Sequence, residues 1–463
     1  MTAPVKTSYP VAITAAILAG AASLSILIAP PFGWTGPESH SAALAVLAIG
    51  LWATGVLPEH VTALAFLLGA MLLSVAPATV VFSGFASGAF WLIFGGLVIG
   101  VAVKDTGLGL RITRWAAPRL DGGYPRIITG VVVIGITLGF LMPSSMGRVV
   151  LFMPIALSLA AHFGFRPGDP GHTGIVLAAA LGSHVPTFAV LPANVPNMVF
   201  AGSVESIYGY VPLYGEYLLL HFPVLGLLKS LSIIWLILRL FPDKPRVTTV
   251  TQPLAPTSDA ERKLALLLLF ALLFWLSDFV HGISPAWIAL SVSLILLLPR
   301  IGLVSGEQFN REINFAPLFF VAGILGMGAV VANSGIGSEI ADLLMSALPL
   351  AYDKPMSNFL SLAAAALGTG IITTLPGVPA VLTPIAGRLA EVTGLPLETI
   401  LMTQVIGFST IIFPYQSPPL LVALQIAGVG IGPALRLCLA LTAVTLLLLI
   451  PIDYLWWRYL NWL

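Results

Sequence analysis

An apolar stretch of this chain is interrupted at residues 143–156 (PSSMGRVVLFMPIA) by a turn of small polar residues and an arginine. Arg148 stands in that turn, shortly after the hydroxyl groups of Ser144 and Ser145. A guanidinium in an apolar segment is costly, so it is expected to face a cavity or a partner. Because a guanidinium binds carboxylates with two parallel hydrogen bonds, this turn is a candidate anion-binding site.

A segment of the same character returns 230 positions later, at residues 373–386 (TTLPGVPAVLTPIA), and it begins with two threonines. Both segments end in the same Pro-Ile-Ala sequence. Two polar, broken hydrophobic segments in matching places of two halves are typical of transporters built from a repeat.

Proline-rich breaks interrupt two further apolar runs, at residues 191–197 and 413–419. Proline donates no backbone hydrogen bond, so the freed carbonyls need protein, ions or water as partners unless the breaks are simple kinks packed on neighbouring helices. Freed carbonyls suit small cations such as sodium, and the N-termini of half-helices attract anions. The predicted substrate- or ion-binding residues are Ser144, Ser145, Arg148, Ala193, Asn194, Asn197, Thr373, Thr374, Gln416 and Ser417. Whether a sodium ion binds near Ser144 and Thr374 is left open.

The composition places these breaks in a membrane. Of 463 residues, 58% are hydrophobic and only 8% are charged, and the mean hydropathy is +1.01. Soluble domains carry roughly 25% charged residues, so this chain cannot cover a water-facing surface. Long apolar runs without strict alternation predict an all-α integral membrane protein. A net charge of +1 gives no case for nucleic-acid binding, and the single cysteine, Cys438, excludes an intrachain disulfide or a cysteine-based metal cluster.

The apolar runs predict about eleven transmembrane helices plus two re-entrant hairpins, arranged in two inverted repeats. After a first span within residues 1–38, repeat 1 covers 39–240, a polar cytoplasmic linker covers 241–261, and repeat 2 covers 262–463. The special elements are hairpin 127–163 and broken span 173–200 in repeat 1, and hairpin 357–392, broken span 398–430 and a final span in repeat 2.

The distribution of positive charge supports this arrangement. With the N-terminus in the cytoplasm, most lysines and arginines fall on the cytoplasmic side, including those of a basic surface segment predicted at residues 110–120. Only Lys354, Arg388 and Arg458 fall outside, which is a strong positive-inside bias. The first hairpin is then predicted to enter from the cytoplasm and the second, after a surface segment at 338–350, from outside. We expect a multi-pass protein of a bacterial inner or plasma membrane.

Three roles are open for Arg148. It can act on an anionic substrate, it can pair at long range with Asp278, Glu205 or Glu216, or its side chain can extend to the cytoplasmic surface. His184, in the span that leads to the 191–197 break, is a second candidate. Because histidines ordinarily titrate near neutral pH, it could carry a coupling proton, although a hydrogen-bonded structural histidine is the simpler interpretation.

Several motifs resemble those of the divalent-anion/sodium symporter family, within the ion-transporter superfamily. The Pro-Ile-Ala endings resemble the ends of the family's two hairpin motifs. The other matching stretches are Phe94–Gly100 with Lys104–Leu108 (a Gly-Gly stretch and a Lys-Thr-Gly-Leu element with Asp105 inserted), Ile313–Phe315 and Asn333–Ile336 in the second half, and Pro196-Asn197 and Ser417–Pro419 in the broken spans.

The resemblance implies an elevator-type carrier, with a scaffold that forms a homodimer, for di- or tricarboxylates or sulfate moved with sodium. The chain departs from the family at both hairpins, where the Ser-Asn-Thr motif is replaced by Ser144–Met146 and Thr374–Pro376, and Leu420 replaces an asparagine of the second broken span. The chain is therefore identified as a divergent member. We hypothesise that Arg148 supplies fixed positive charge where other members place sodium, leaving an exchanger or a proton-coupled carrier.

The predicted function is secondary active transport of a small divalent or organic anion, coupled to sodium, to protons or to exchange. Metalloid oxyanion efflux and sodium/proton antiport are the alternatives within the superfamily; antiport predicts carboxylates in the breaks, and the breaks carry none. An enzyme is not expected, because the sequence holds no HExxH, P-loop or Gly-x-Ser-x-Gly motif. No cofactor is predicted, and the expected partners are a small anion, the lipid bilayer and a second copy of the chain.

Overall fold

The structure is a computed structural model that describes residues 9–34, 36–108, 111, 123–142, 144–246, 256–300, 302–336, 342 and 346–463. All regular secondary structure in these residues is helical, which confirms the all-α prediction. Within them, seven helices are long and apolar enough to cross a membrane, and five shorter apolar helices accompany them. The predicted surface segment at 110–120, apart from Arg111, most of the one at 338–350, and the centre of the linker at 247–255 lie outside the described residues.

The helices form two compact units that are interleaved along the sequence. The first unit comprises Met1–Phe90, Val199–Val211 and Phe315–Gly407, and the second comprises Trp91–Met198, Pro212–Asn314 and Phe408–Leu463. Each unit takes residues from both predicted repeats, and the repeat boundaries themselves stay a prediction.

The first unit is built around the helix Ala316–Ser334, most of whose residues are buried. A helix that is apolar on all sides belongs in the centre of a bundle, and the helices Gly36–Thr54 and Glu59–Leu72 pack against it. The remaining helices that lie wholly within this unit are Tyr9–Ile28, Ala78–Val81, Ser83–Ala86, Pro355–Ile372, Gly377–Leu382 and Ala386–Thr393.

The second unit is built around Pro170–Gly182, in which every residue from Gly171 to Gly182 except Thr173 is buried. The helices Tyr124–Leu141, Ser145–His162, Lys229–Leu240 and Pro418–Ala427 pack against it. The other helices of this unit are Tyr214–His221, Asp259–Leu276, Asp278–His281, Pro285–Leu297, Gly306–Glu312, Ile431–Val444 and Ile450–Tyr459. The helices Gly88–Thr106, Val195–Tyr208 and Leu397–Phe408 contribute residues to both units.

Two long spans of the second unit contain π-helical segments. One segment is Phe222–Leu228 in the span Tyr214–Leu240, and the other is Thr445–Leu449 in the span Ile431–Tyr459. The two segments contact each other. Proline stands at or just after both segments, as Pro223 and Pro451, where its missing N–H disturbs regular α-helical hydrogen bonding. Such π segments occur frequently at functional sites.

The first hairpin turns more tightly than the sequence predicts. Its arms are the helices Tyr124–Leu141 and Ser145–His162, and Pro143 between them lies outside the described residues. The hydroxyl of Ser144 accepts a hydrogen bond from the backbone N–H of Gly147 at 3.2 Å and so caps the second arm. Arg148, which the sequence placed in the turn, therefore lies in the first turn of a helix. Whether the hairpin is re-entrant stays a prediction.

The first broken span contains a longer and earlier break than predicted. Its helix ends at Gly182 and resumes at Val195, with two short 3-10 turns between. The cause is Pro186, whose ring would clash with the carbonyl of Gly182 in a continuous helix. The break thus covers residues 183–194 instead of 191–197, and His184 lies inside it and not in the helix that precedes it.

The second broken span shows the same shift. Helix Leu397–Phe408 ends before Ser409, and helix Pro418–Ala427 follows Ser417. The predicted break at 413–419 therefore begins earlier, and Pro418 and Pro419 belong to the following helix. Proline is tolerated in a first helical turn because the N–H groups there have no helical partner.

The basic segment that starts at residue 104 is held by acidic partners of the second unit. Lys104 Nζ lies 2.8 Å from a carboxylate oxygen of Glu312. Arg111 binds both carboxylate oxygens of Glu261, at 2.8 and 2.9 Å. These hydrogen bonds from Arg111, and those from Ser258, lower the pKa of Glu261 to about 2. The orientation predicted from the charge distribution is not altered by these contacts and stays a prediction.

Two glycines bring the first hairpin close to the first break. A Cβ atom on Gly135 would lie 2.7 Å from the backbone nitrogen of Ser183, and one on Gly139 would lie 2.1 Å from Cγ2 of Thr187. Small residues four apart allow such close backbone approach in membranes. The hairpin and the break are therefore held together by backbone contact.

Gly135→Ala tests this contact. The added methyl group meets backbone that cannot rotate away, so we expect destabilisation of about 1–3 kcal/mol, the usual cost of overpacking. The measurement is the Tm of the purified protein in detergent. Gly100→Ala is the matched control, since no atom lies within 4 Å of a Cβ at that helical position, and it should leave the Tm unchanged or raised. Equal effects of the two substitutions would contradict the close approach.

Candidate functional site

Arg148 is the centre of the candidate site in the second unit. Its side chain is completely buried, which excludes an extended conformation that reaches solvent in this structure. The guanidinium lies between the first hairpin and the first break. Three backbone carbonyls accept hydrogen bonds from it: Ser183 O from Nε at 3.0 Å, Ala193 O from one terminal nitrogen at 3.0 Å, and Met142 O from the same nitrogen.

Side-chain oxygens accept the hydrogen bonds of the other terminal nitrogen of Arg148. Thr187 Oγ1 lies at 2.9 Å, Ser145 Oγ at 3.1 Å and Asn194 Oδ1 at 3.3 Å. A guanidinium has five N–H donors, and these six acceptors engage all of them. Each carbonyl acceptor comes from residues at the end of a helix or inside a break, where helical hydrogen bonding has stopped.

All six acceptors are neutral. The carboxylates considered from the sequence, Asp278, Glu205 and Glu216, are not among the partners of Arg148 in the described part of the chain. Asp278 instead accepts hydrogen bonds from the backbone N–H groups of Tyr214 and Gly215. A buried guanidinium that is fully hydrogen-bonded but has no carboxylate beside it keeps its positive charge uncompensated.

The predicted residues of the first hairpin and break form one hydrogen-bonded cluster. Ser145 donates to Asn194 Oδ1, and Asn194 Nδ2 donates to Thr187 Oγ1 at 3.2 Å. Asn197 Nδ2 donates to the carbonyl of Val190 at 2.8 Å. The other amide atom, Asn197 Oδ1, is buried and has no hydrogen-bond partner among the described residues. Ser144, by contrast, serves as a helix cap.

His184 also lies beside this cluster. Its ring is buried, with its centroid 4.9 Å from that of Phe188. Asn194 and Arg148 are the polar side chains that act on it, whereas its Nδ1 atom has no partner within the part of the chain that the structure describes. His184 therefore belongs to the polar interior of the break.

Gln416 and Ser417 stiffen the second break. Gln416 Oε1 accepts hydrogen bonds from the backbone N–H groups of Ile412 and Phe413, both at 2.8 Å. Ser417 caps the following helix by accepting from Leu420 N at 3.4 Å. That helix packs against the second arm of the first hairpin. The structure therefore brings the second break into the same unit as Arg148.

Thr373 and Thr374 belong to the first unit. The hydroxyl of Thr373 donates to the carbonyl of Thr369 at 2.7 Å, and the carbonyl of Thr374 accepts from Gly377 N at 2.9 Å. Both contacts close the break between the arms of the second hairpin.

Further along, this hairpin is bound by Tyr208, a residue that the sequence did not single out. Its hydroxyl donates to Thr383 O at 2.9 Å and accepts from Gly387 N at 2.9 Å. The hydroxyl of Thr383 in turn donates to Gln404 Oε1 at 3.0 Å. Tyr208 therefore satisfies the two backbone groups freed around Pro384.

A sodium ion does not fit beside Ser144 in this structure. Four oxygens next to Ser144, those of Met142, Ser145, Ala193 and Asn194, already accept hydrogen bonds from the guanidinium of Arg148, whereas sodium near Thr374 stays a prediction. Sodium would need the same neutral oxygens as ligands. In the described residues, no cluster of three or more His, Cys, Asp or Glu side chains suits another metal ion.

Sequence reasoning missed Thr187 and the carbonyl of Ser183. The signal was Pro186, because a proline ends the helix in the turn that precedes it. This effect would have placed both residues in the break. Nothing in the sequence indicated that the carbonyl of Met142 points at Arg148.

Known proteins resemble this chain in sequence and in fold. A membrane protein of Cupriavidus necator is 23% identical over 96% of this chain and 92% of its own length. The chloroplastic dicarboxylate transporter 2.2 of Arabidopsis thaliana is 30% identical over 25% of this chain and 21% of its own length. The crystal structure of the YdaH transporter of Alcanivorax borkumensis matches the fold with a TM-score of 0.54 and 18% identity, covering 92% of this chain and 99% of that one.

The CitMHS model, described as citrate transporter, matches residues 49–407. This match covers well over half of the sequence and includes both hairpins and the first break. It agrees with the resemblance drawn from the Gly-Gly, Pro-Ile-Ala and Pro-Asn motifs. The chain belongs to the CitMHS citrate transporter family, within the ion-transporter superfamily, and is a membrane transporter.

Proposed function

We propose that this transporter is a secondary active carrier of a small di- or tricarboxylate or sulfate, in which Arg148 takes the place of a sodium ion. The observation that carries the proposal is the guanidinium of Arg148, buried and bound only to neutral oxygens of the first hairpin and break. A cation in that place holds the two elements together without any dissociable ion.

The uncompensated charge of Arg148 favours an anionic substrate. A buried cation without a carboxylate partner is costly, and an anion bound nearby lowers that cost. The N-terminus of the helix Ser145–His162 lies in the same turn as Arg148. Such N-termini attract anions. The substrate need not replace any of the six partners of Arg148, because the positive charge of the guanidinium attracts an anion electrostatically without direct contact.

The substrate class rests on the family and on one relative. The family description names citrate, and the relative from Arabidopsis thaliana is named as a dicarboxylate transporter. Carboxylates with two or three charges suit a site with a fixed positive charge better than monoanions. Elevator-type movement, a homodimeric scaffold and a cytoplasmic N-terminus are part of the same proposal.

Ligand-induced stabilisation tests the substrate class. The Tm of the purified protein is measured with citrate, succinate, sulfate, arsenate and, as a monoanion control, acetate. A ligand at 100 times its Kd should stabilise the folded state by about 2.7 kcal/mol, so citrate or succinate should raise the Tm and acetate should not. Stabilisation by arsenate alone would instead support metalloid oxyanion transport.

Removal of the guanidinium tests the role of Arg148. In Arg148→Ala, six neutral acceptors lose their donor, and we expect a marked fall in Tm because unsatisfied buried polar groups cost about 1–3 kcal/mol each. Millimolar guanidinium or sodium should restore part of the Tm of this variant, whereas choline should not. Arg239→Ala removes an exposed arginine at a helix end and should show no such cation dependence. A variant that sodium and guanidinium both fail to stabilise would contradict the substitution of a cation by Arg148.

A further inference from the structure

Two spans of the second unit bury charged residues that the site around Arg148 does not use. Lys229 lies in the span Tyr214–Leu240, Asp453 lies in the span Ile431–Tyr459, and both side chains are completely buried. Charged residues inside membrane spans are rare and mark ion pathways or proton relays. Lys229 and Asp453 lie just beyond the π-helical segments of their spans.

Lys229 is attached to the second break. Its Nζ atom donates to the carbonyl of Ser409 at 2.9 Å and to the hydroxyl of Thr410 at 3.0 Å. Ser409 and Thr410 are the first residues after the helix Leu397–Phe408, where helical hydrogen bonding has ended. The position of the ammonium group therefore depends on the conformation of the break.

Asp453 lacks such support. Both of its carboxylate oxygens are buried without a close hydrogen-bond partner in the described residues. Lys229 attracts the carboxylate electrostatically, and the indole of Trp457 is the other polar group that acts on it. A buried carboxylate is tolerated only with a cation nearby or with a bound proton.

His221 provides a third titratable group. Its side chain is completely buried, and neither ring nitrogen has a hydrogen-bond partner within the described ranges. Its ring centroid lies 4.6 Å from that of Tyr217 and 5.7 Å from that of Trp457. Trp457 thus contacts both His221 and Asp453. His221 precedes Lys229 along the same span, and the π-helical segment Phe222–Leu228 lies between them.

Among the residues that the structure describes, no other charged group acts on this pair. Lys229 is the charged group that interacts with Asp453, and Asp453 is the one that interacts with Lys229, among the residues with described side chains. The remaining titratable groups on these spans and on the described elements packed against them are Tyr124, Arg126, His172, Tyr214, Glu216, Tyr217, Arg239, Asp259, Glu261, Arg262, Lys263, Asp278, His281, Tyr415, Arg436, Cys438, Tyr454, Arg458 and Tyr459.

We propose that Asp453, with Lys229 as its counter-ion and His221 as its proton donor, is the proton-binding site that drives transport. His221 takes up one proton from water and passes it to the carboxylate of Asp453, which becomes a neutral carboxylic acid, while the imidazole returns to its neutral form. The net charge of Lys229 and Asp453 then changes from zero to plus one. This inference rests on the proposed function and names its coupling ion.

The break links the proton to the substrate. When the break rearranges, Ser409 and Thr410 carry the ammonium group of Lys229 with them, and the attraction between Lys229 and Asp453 changes. A carboxylate that loses its counter-ion binds a proton more tightly. Proton binding and substrate binding then share one conformational change, and each alters the affinity of the other by the same factor.

Transport in proteoliposomes tests this proposal, with radiolabelled citrate and succinate as probes. Exchange of labelled for unlabelled anion moves no net proton, whereas accumulation under an imposed pH gradient requires proton coupling. The wild-type protein should accumulate the anion under the pH gradient without sodium, and a protonophore should abolish accumulation. Asp453→Asn should lose this accumulation while exchange still proceeds. Asp278→Asn is the control, because that buried carboxylate is hydrogen-bonded to backbone N–H groups, and it should keep the pH-driven accumulation.

The double variant Lys229→Gln/Asp453→Asn guards against misfolding, because it leaves no unpaired charge in the span. It should exchange the anion and fail to accumulate it. Accumulation by Asp453→Asn or by the double variant under the pH gradient would overturn the proton site, and so would wild-type exchange without any pH-driven accumulation. Absence of exchange of both anions by the wild-type protein would instead contradict the proposed function.

Discussion

The candidate site depends on one buried guanidinium. Arg148 donates hydrogen bonds to three backbone carbonyls that have no helical partner. One lies at the end of the first hairpin arm, and the other two lie at the two ends of the first break. Without a cation, these carbonyls would face one another with no donor between them. The side chain thus replaces the helical hydrogen bonds that Pro186 and the hairpin turn remove.

A covalently attached cation has a different thermodynamic role from a bound ion. An ion that dissociates can store the energy of its own gradient, because its binding is linked to conformation. A guanidinium that stays in place gives the same local charge but no gradient to use. Energy for uphill transport must then come from another ion or from exchange. The buried pair Lys229 and Asp453 lies in the same unit, and Lys229 contacts the other break, where an alternative coupling ion can act.

Sequence reasoning captured the elements but not their internal geometry. Low charge content and long apolar runs were sufficient for the all-α membrane fold, and the recurrence of Pro-Ile-Ala was sufficient to find both hairpins. The importance of Arg148 followed from its cost in an apolar stretch. Its partners did not follow, because five of its six acceptors come from residues whose orientation depends on where helices end. A break shifted by eight residues, from 191 to 183, moves Ser183 and Thr187 from a helix into the site.

The pair Lys229 and Asp453 escaped sequence analysis for a related reason. The two residues are separated by more than 200 positions, and neither stands in a motif. Their proximity is set by the packing of two long spans at their π-helical segments. Apolar periodicity predicts that each span exists but not which residues of two spans meet.

If Arg148 takes the place of a sodium ion, substrate binding at the first hairpin does not require sodium. Isothermal titration calorimetry of citrate or succinate, in sodium buffer and in N-methylglucamine buffer of equal ionic strength and pH, measures this directly. We expect the same Kd in both buffers. A Kd that falls steeply as sodium replaces N-methylglucamine would show that a sodium ion takes part in binding, and would contradict this expectation.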